Sequence, residues 1–215
     1  MIEGHFIVVE GIDGAGTTTQ TNLLAAALRK RGLPVHSTRE PSDGPIGVMI
    51  RQVLRGRIVV PGVSGSRAPA WTTMALLFAA DRCDHLDAEI IPNLLDGVTV
   101  VSDRYDHSSV AYQSSAGEAP DSSVWIRQIN GRARRPDLTV VLDVSPQIAA
   151  RRLRDRLERR ELYEDPEFQT RLSLFYKTLE THFEGERIVH VDGDRDPDAV
   201  HIDVVKHVDA LRALG

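Results

Sequence analysis

The sequence predicts an α/β protein with three αβα layers built around a five-stranded parallel sheet. Three observations predict it. Five short apolar runs (His5–Glu10, Pro34–Thr38, Val98–Ser102, Leu138–Val144 and Ile188–Val191) alternate with longer segments of helical period. A glycine-rich loop separates the first run from the first helical segment, at the edge where such sheets bind ligands. Hydrophobic residues make up 41% and charged residues 27% of 215, an ordinary globular balance that one domain over 1–215 accommodates.

The remaining composition narrows the function. With 31 acidic against 26 basic side chains, the formal charge of −5 argues against a polynucleotide or membrane-surface partner. The single cysteine, Cys83, excludes an internal disulfide framework and fits the reducing cytoplasm. No run of about 18 apolar residues is present to span a membrane. The N-terminus enters its first strand without a basic flank, so no signal peptide is expected. Among the 26 basic residues only Lys30, Lys177 and Lys206 are lysine.

The first run ends at Glu10 and continues as Gly11-Ile12-Asp13-Gly14-Ala15-Gly16-Thr17-Thr18, with Thr19 inside a helix expected over Thr17–Arg31. Its glycine spacing is that of a P-loop, G-x-x-x-x-G-K-[ST]. Glycine permits positive φ and turns successive backbone N–H groups toward phosphate oxygens, while the helix N-terminus adds unpaired donors. Residues 11–19 are therefore the phosphate-binding candidates. Thr18 holds the hydroxyl position that serves Mg2+. Thr17 stands where the motif has lysine, so this loop brings no cation of its own.

After the second run comes Arg39, whose planar fork suits a phosphate or a nearby carboxylate such as Glu40. A helix is expected over Pro45–Arg55 and a Gly-, Ser- and Arg-rich surface loop over Gly56–Pro69. The segment Thr72–Leu95 places Phe78 and Arg82 one helical turn apart on one face, where a ring and a guanidinium could hold a base; core packing is the competing assignment for Phe78. Asp81 and Asp84 fall on other faces and are expected in solvent. Asp103 ends the third run, where P-loop proteins keep the carboxylate that orients Mg2+, and Arg104 follows it. Ser108, Tyr112 and Gln113 lie on the next helix, and another is expected over Ser122–Ala133.

Pro146–Arg159 contains RRLRDRLERR at 151–160, six arginines against Asp155 and Glu158. A solvated helix or a cationic lid over 151–165 that closes on phosphates would both suit it. Helices over Pro166–Phe183 and Pro197–Leu214 complete the chain. The eight histidines show no zinc-site spacing.

Five segments in this order and spacing resemble the thymidylate kinases: Glu10 to Gly16, Thr38-Arg39-Glu40-Pro41, Leu76 to Arg82, Asp103-Arg104-Tyr105 with Ser108 and Ala111-Tyr112-Gln113, and Arg135-Pro136-Asp137-Leu138 running into Leu142-Asp143-Val144. The likeness spans nearly the whole chain. It implies a P-loop NTPase fold and transfer of the ATP γ-phosphoryl group, with Mg2+, to dTMP. By resemblance Asp13 accepts the deoxyribose 3′-hydroxyl, Arg39 holds the 5′-phosphate, and Phe78 with Arg82 takes thymine. Arg104 bridges the two phosphates, Tyr112 crowds the 2′ position, and Ser108 or Gln113 bonds the base. Family members carry a catalytic arginine in the P-loop or in the lid. The P-loop position here is Gly14, which points to Arg154 and Arg156 in the lid. The resemblance also implies a homodimer. Because Thr17 departs from the pattern, a pseudokinase is an alternative, as is a kinase for another deoxynucleoside monophosphate.

Overall fold

The structure, a computed structural model, describes residues 3–63, 65–116, 122–155 and 166–213. In chain order the elements are β1 (Phe6–Glu10), α1 (Thr17–Lys30), β2 (Val35–Arg39), α2 (Pro45–Leu54), β3 (Val60–Gly62), β4 (Gly65–Arg67), α3 (Trp71–His85), α4 (Ile91–Leu95), β5 (Thr99–Asp103) and α5 (Asp106–Ala116). They continue as α6 (Ser122–Ile129), β6 (Leu138–Asp143), α7 (Pro146–Asp155), α8 (Pro166–Tyr176), α9 (Leu179–His182), β7 (Ile188–Asp192) and α10 (Pro197–Arg212). The main sheet is parallel throughout, in the order β2-β5-β1-β6-β7, as the alternation of runs predicts.

Strand alternation builds the layers. Phe6 and Val8 of β1 pack with Val100 against Leu86, Ile90 and Leu94, while Ile7 and Val9 join the cluster containing Leu24 and Leu28 of α1. Each fully buried aliphatic side chain contributes about 1.5–3 kcal/mol. Helices α1 and α10 pack together, joined by Gln20 Nε2 donating to the Pro197 carbonyl at 2.9 Å. Register sets Val9 beside Asp103 and Asp103 beside Arg39, so the C-terminal ends of β1, β5 and β2 form one edge.

Three regions differ from expectation. Gly56–Pro69 contains the antiparallel hairpin of β3 and β4. The segment expected as one helix over 72–95 contains a π-helical turn at Leu86–Ile90. Pro166–Phe183 is divided into α8 and α9. The Arg-rich segment is described only to Asp155, the end of α7, so Arg156 and most of the expected lid lie outside the described residues.

Candidate active site

The loop after β1 folds as its glycines require. Gly14 and Gly16 adopt φ of +84° and +98°, and Ala15 N donates to the Ile12 carbonyl at 3.0 Å. Gly16 is the N-cap of α1 and supplies no side-chain cap, which leaves the first N–H groups of Thr17, Thr18 and Thr19 open to an anion. The Thr17 side chain is buried. A cleft continues from Gly14, Gly16 and Thr19 to Arg152, Arg195 and Pro197. Arg152 closes its back, donating to the carbonyls of Ala15 at 3.2 Å and Gly193 at 2.8 Å.

At the neighbouring strand ends, Thr18 Oγ1 donates to Asp103 Oδ2 at 2.5 Å. Asp103 Oδ1 is buried and has no hydrogen-bond partner. A carboxylate with one orphaned oxygen beside a threonine hydroxyl is a hard-oxygen donor set that fits a divalent cation carried by a nucleotide.

Arg104 follows with φ +71°, a left-handed conformation that costs a non-glycine residue about 1–2 kcal/mol. The surroundings impose it. Arg104 N donates to the Val9 carbonyl at 2.9 Å, and Ser102 Oγ donates to the Arg104 carbonyl at 2.8 Å. The guanidinium donates to the Gly11 carbonyl (2.8 Å), Ser108 Oγ (3.1 Å) and Asp13 Oδ1 (2.7 Å), and lies over the Tyr112 ring. Burial works against its charge, yet facing Tyr112, Asp13, Tyr176 and Glu10 raises its pKa well above the usual guanidinium value. Burial likewise raises the Tyr112 phenol, keeping it neutral.

A second cleft, of about 130 Å³, opens beyond Arg104. Seven of the predicted residues line it together: Asp13, Phe78, Arg82, Arg104, Ser108, Tyr112 and Gln113. Arg39 is not among them. Its guanidinium, 54% exposed, pairs with exposed Asp43 at 2.7 Å and holds that carboxyl below its ordinary range. Ser108 spends its hydroxyl proton on Glu10 Oε2 at 2.7 Å, whereas Gln113 Oε1 is buried without a partner. Arg154 is exposed on the last turn of α7. Asp81, expected in solvent, is buried and accepts from Ser42 N at 2.7 Å and Ser42 Oγ at 2.6 Å, fixing the turn that precedes α2.

Sequence reasoning missed the groups that hold these residues. Buried Glu10 accepts from Tyr105 N (2.9 Å), Ser108 N (3.2 Å) and Tyr176 Oη (2.9 Å), which anchors the start of α5 to the end of β1. Gln169 Nε2 donates to Asp13 Oδ2 at 3.2 Å from α8. Glu40, Pro41, Leu54, Tyr105 and Ser109 complete the second cleft, and the Glu40–Pro41 peptide is cis. A charged residue ending a wholly buried strand was the available signal for Glu10.

Residues 9–204 match the sequence model of the family described as thymidylate kinase. The chain is 39% identical over 205 residues to a probable thymidylate kinase of Pyrococcus abyssi, covering 95% of both chains. It is 41% identical over 209 residues to one of Pyrobaculum calidifontis, covering 97% of both. With one of Pyrococcus horikoshii it shares 37% identity over 204 residues, 95% of each. The chain therefore belongs to the thymidylate kinase family of nucleoside monophosphate kinases.

Proposed function

We propose that this chain, a single kinase domain, transfers the γ-phosphoryl group of ATP to dTMP and releases ADP and dTDP. The observation that carries the reading is Arg104, held in a strained conformation where the phosphate loop meets the second cleft. The N–H groups at the start of α1 receive the ATP phosphates, and the cleft toward Arg152 and Pro197 receives the rest of the nucleotide. Thymine enters the second cleft against Phe78, with Arg82 toward O4. Unpaired Gln113 Oε1 suits the N3–H donor better than Ser108, whose oxygen already accepts from Arg104. Tyr112 fills the space a 2′-hydroxyl would need, and Asp13 accepts the 3′-hydroxyl.

Arg39 holds the 5′-phosphate. Its exposed pair with Asp43 is worth only about 0–1 kcal/mol, which a phosphate dianion outcompetes through charge-assisted bonds of about 1.5–3 kcal/mol. The acceptor is already an anion, so no base is required and catalysis rests on alignment and charge neutralisation. Thr18 and Asp103 would hold Mg2+, which when bound neutralises charge on the transferring phosphates. Arg104 bridges donor and acceptor, and the lid arginines Arg154 and Arg156 complete the neutralisation. The reading also takes the enzyme to be a cytoplasmic homodimer, in keeping with unpaired Cys83 and with exposed Val48, Met49 and Leu76 on adjoining α2 and α3.

A coupled ADP-release assay with MgATP tests the reaction: turnover should depend on dTMP and exceed that with dCMP or dGMP. A flat trace while dTMP still binds would overturn the proposal.

A further inference from the structure

From Arg82 a row of polar side chains runs from the cleft wall toward the surface. The Arg82 guanidinium donates to Asn130 Oδ1, to Ser109 Oγ at 3.0 Å and to Glu40 Oε2 at 2.5 Å, while its Nε is buried without a partner. Glu40 meets Arg82 through one oxygen only. The other, Oε1, faces Nδ1 of His85 at 3.3 Å. A carboxylate only accepts, so Nδ1 carries the proton in this contact. The His85 side chain is wholly buried, three residues beyond Arg82 on α3. Its Nε2 meets Thr38 Oγ1 at 2.7 Å and lies 3.6 Å from Glu89 Oε2. Thr38 and Glu40, two residues apart at the end of β2, thus grip the imidazole from both nitrogens. Glu89 stands in the π-helical turn, a feature frequent at functional sites, and its Oε1 engages His36 Nε2 at 2.5 Å.

We infer that His85, backed by Glu89, is a positioning residue for base recognition: it fixes the Glu40 carboxylate that aims the Arg82 guanidinium at the pyrimidine. A single-oxygen contact leaves a carboxylate able to turn about its terminal torsion, which is broad. The second anchor from His85 removes that freedom, and the pair lies too deep for water to substitute. His85 and Glu89 touch neither cleft, so their influence on the base passes through Glu40. Burial opposes the charge on Glu89, but hydrogen bonds from His36 and Thr38 keep its carboxyl below the ordinary range.

The inference rests on the reading that Arg82 meets O4 of thymine, and the experiment separates the two. Steady-state constants for dTMP, dCMP and ATP are measured for His85→Ala, His85→Gln, Glu89→Ala and Arg82→Ala. His85→Ala should raise KM for dTMP about 5- to 20-fold and narrow the preference over dCMP, which carries an amine in place of O4, while kcat and KM for ATP stay within about twofold. His85→Gln, whose amide can donate to Glu40, should recover most of the loss. Glu89→Ala should shift KM the same way by about 2- to 5-fold, and stands in if His85→Ala does not fold. Wild-type dTMP constants in these variants, or equal rises for dTMP and ATP, would overturn the inference. An unchanged dTMP-to-dCMP preference in Arg82→Ala would instead overturn the role given to Arg82.

Discussion

Gly14→Ala is the most direct probe of how the phosphate loop is built. Gly14 has φ +84°, and a Cβ there would lie 2.5 Å from the Ala149 carbonyl oxygen and 3.1 Å from Leu153 Cγ, both on α7. The first separation is 0.9 Å short of the 3.4 Å at which ordinary contact begins. Two penalties add. A left-handed L-residue costs about 1–2 kcal/mol, and overpacking against backbone costs about 1–3 kcal/mol. At about 2–4 °C per kcal/mol for a domain of this size, Tm should fall by roughly 4–20 °C. Gly32→Ala supplies the reference: φ is +80° but nothing lies within 4 Å, so only the first penalty applies, roughly 2–8 °C. Displacing α7 also moves Arg152, so KM for ATP should rise about 10-fold while KM for dTMP stays within about twofold. Thermal unfolding of both variants with steady-state kinetics decides the matter. The reasoning fails if Gly14→Ala is no more destabilising than Gly32→Ala, or if both KM values rise together. The same overlap explains why an arginine at position 14 is not accommodated.

Thr17→Lys restores a charge-assisted phosphate contact of about 1.5–3 kcal/mol, so kcat/KM should hold or increase by up to about 10- to 150-fold; a large drop would show a loop rebuilt around threonine. Asp103→Asn keeps the size of the side chain but not its charge. The Mg2+ concentration for half-maximal rate should rise about 10-fold or more with dTMP affinity by calorimetry unchanged, and an unaltered Mg2+ titration would contradict the assignment. A pH effect comes from buried His107, whose Nε2 meets Glu186 Oε2 at 2.9 Å. Burial lowers the His107 pKa, but Asp106, Glu186 and Glu10 outweigh it and the net direction is up. Its stabilisation is therefore complete below the unfolded value of about 6.5 and lost as pH rises through the folded value. Burial raises Glu186, but His107 and Arg135 bring it below its ordinary range, so its stabilisation is lost as pH falls through the folded value. The Tm gap between wild type and His107→Gln should shrink as pH climbs from about 6 to 9, and a constant gap would refute the coupling.

The sheet was legible because its strands are short, apolar runs separated by helical segments, with β1 and β5 wholly buried, and register then forced Asp103, the glycine loop and Arg39 to one edge. What adjacency suggested was less dependable. Arg39, the last residue of β2, turned outward to Asp43, while Glu40, just past the strand end, turned inward to Arg82. Asp81 looked solvated until Ser42, 39 residues earlier, was folded against it. Glu10 and Tyr176 are 166 residues apart and Asp13 and Gln169 are 156 apart, and no local pattern encodes such pairs. The hairpin of β3 and β4 has three-residue strands, too short for periodicity to mark.

The shortage of lysine acquires a geometric reason at these clefts. Arg104 ties Gly11, Ser108 and Asp13; Arg82 ties Asn130, Glu40 and Ser109; Arg152 ties the carbonyls of Ala15, Gly193 and Arg195. Each guanidinium reaches three separate acceptors, with donors spread across one rigid plane. An ammonium concentrates its donors on one atom and cannot span them, so Arg→Lys at these positions should keep the charge and lose the alignment. The P-loop lysine serves differently, as a point charge on phosphate; Thr17 stands at its position here, and in the proposed reaction guanidinium groups from outside the loop supply that charge. A net charge of −5 therefore coexists with guanidinium groups at both clefts. Bulk charge weighs against a polyanion, but a mononucleotide responds to the few groups within its reach, among them Arg82 and Arg104 at one cleft and Arg152 and Arg195 at the other.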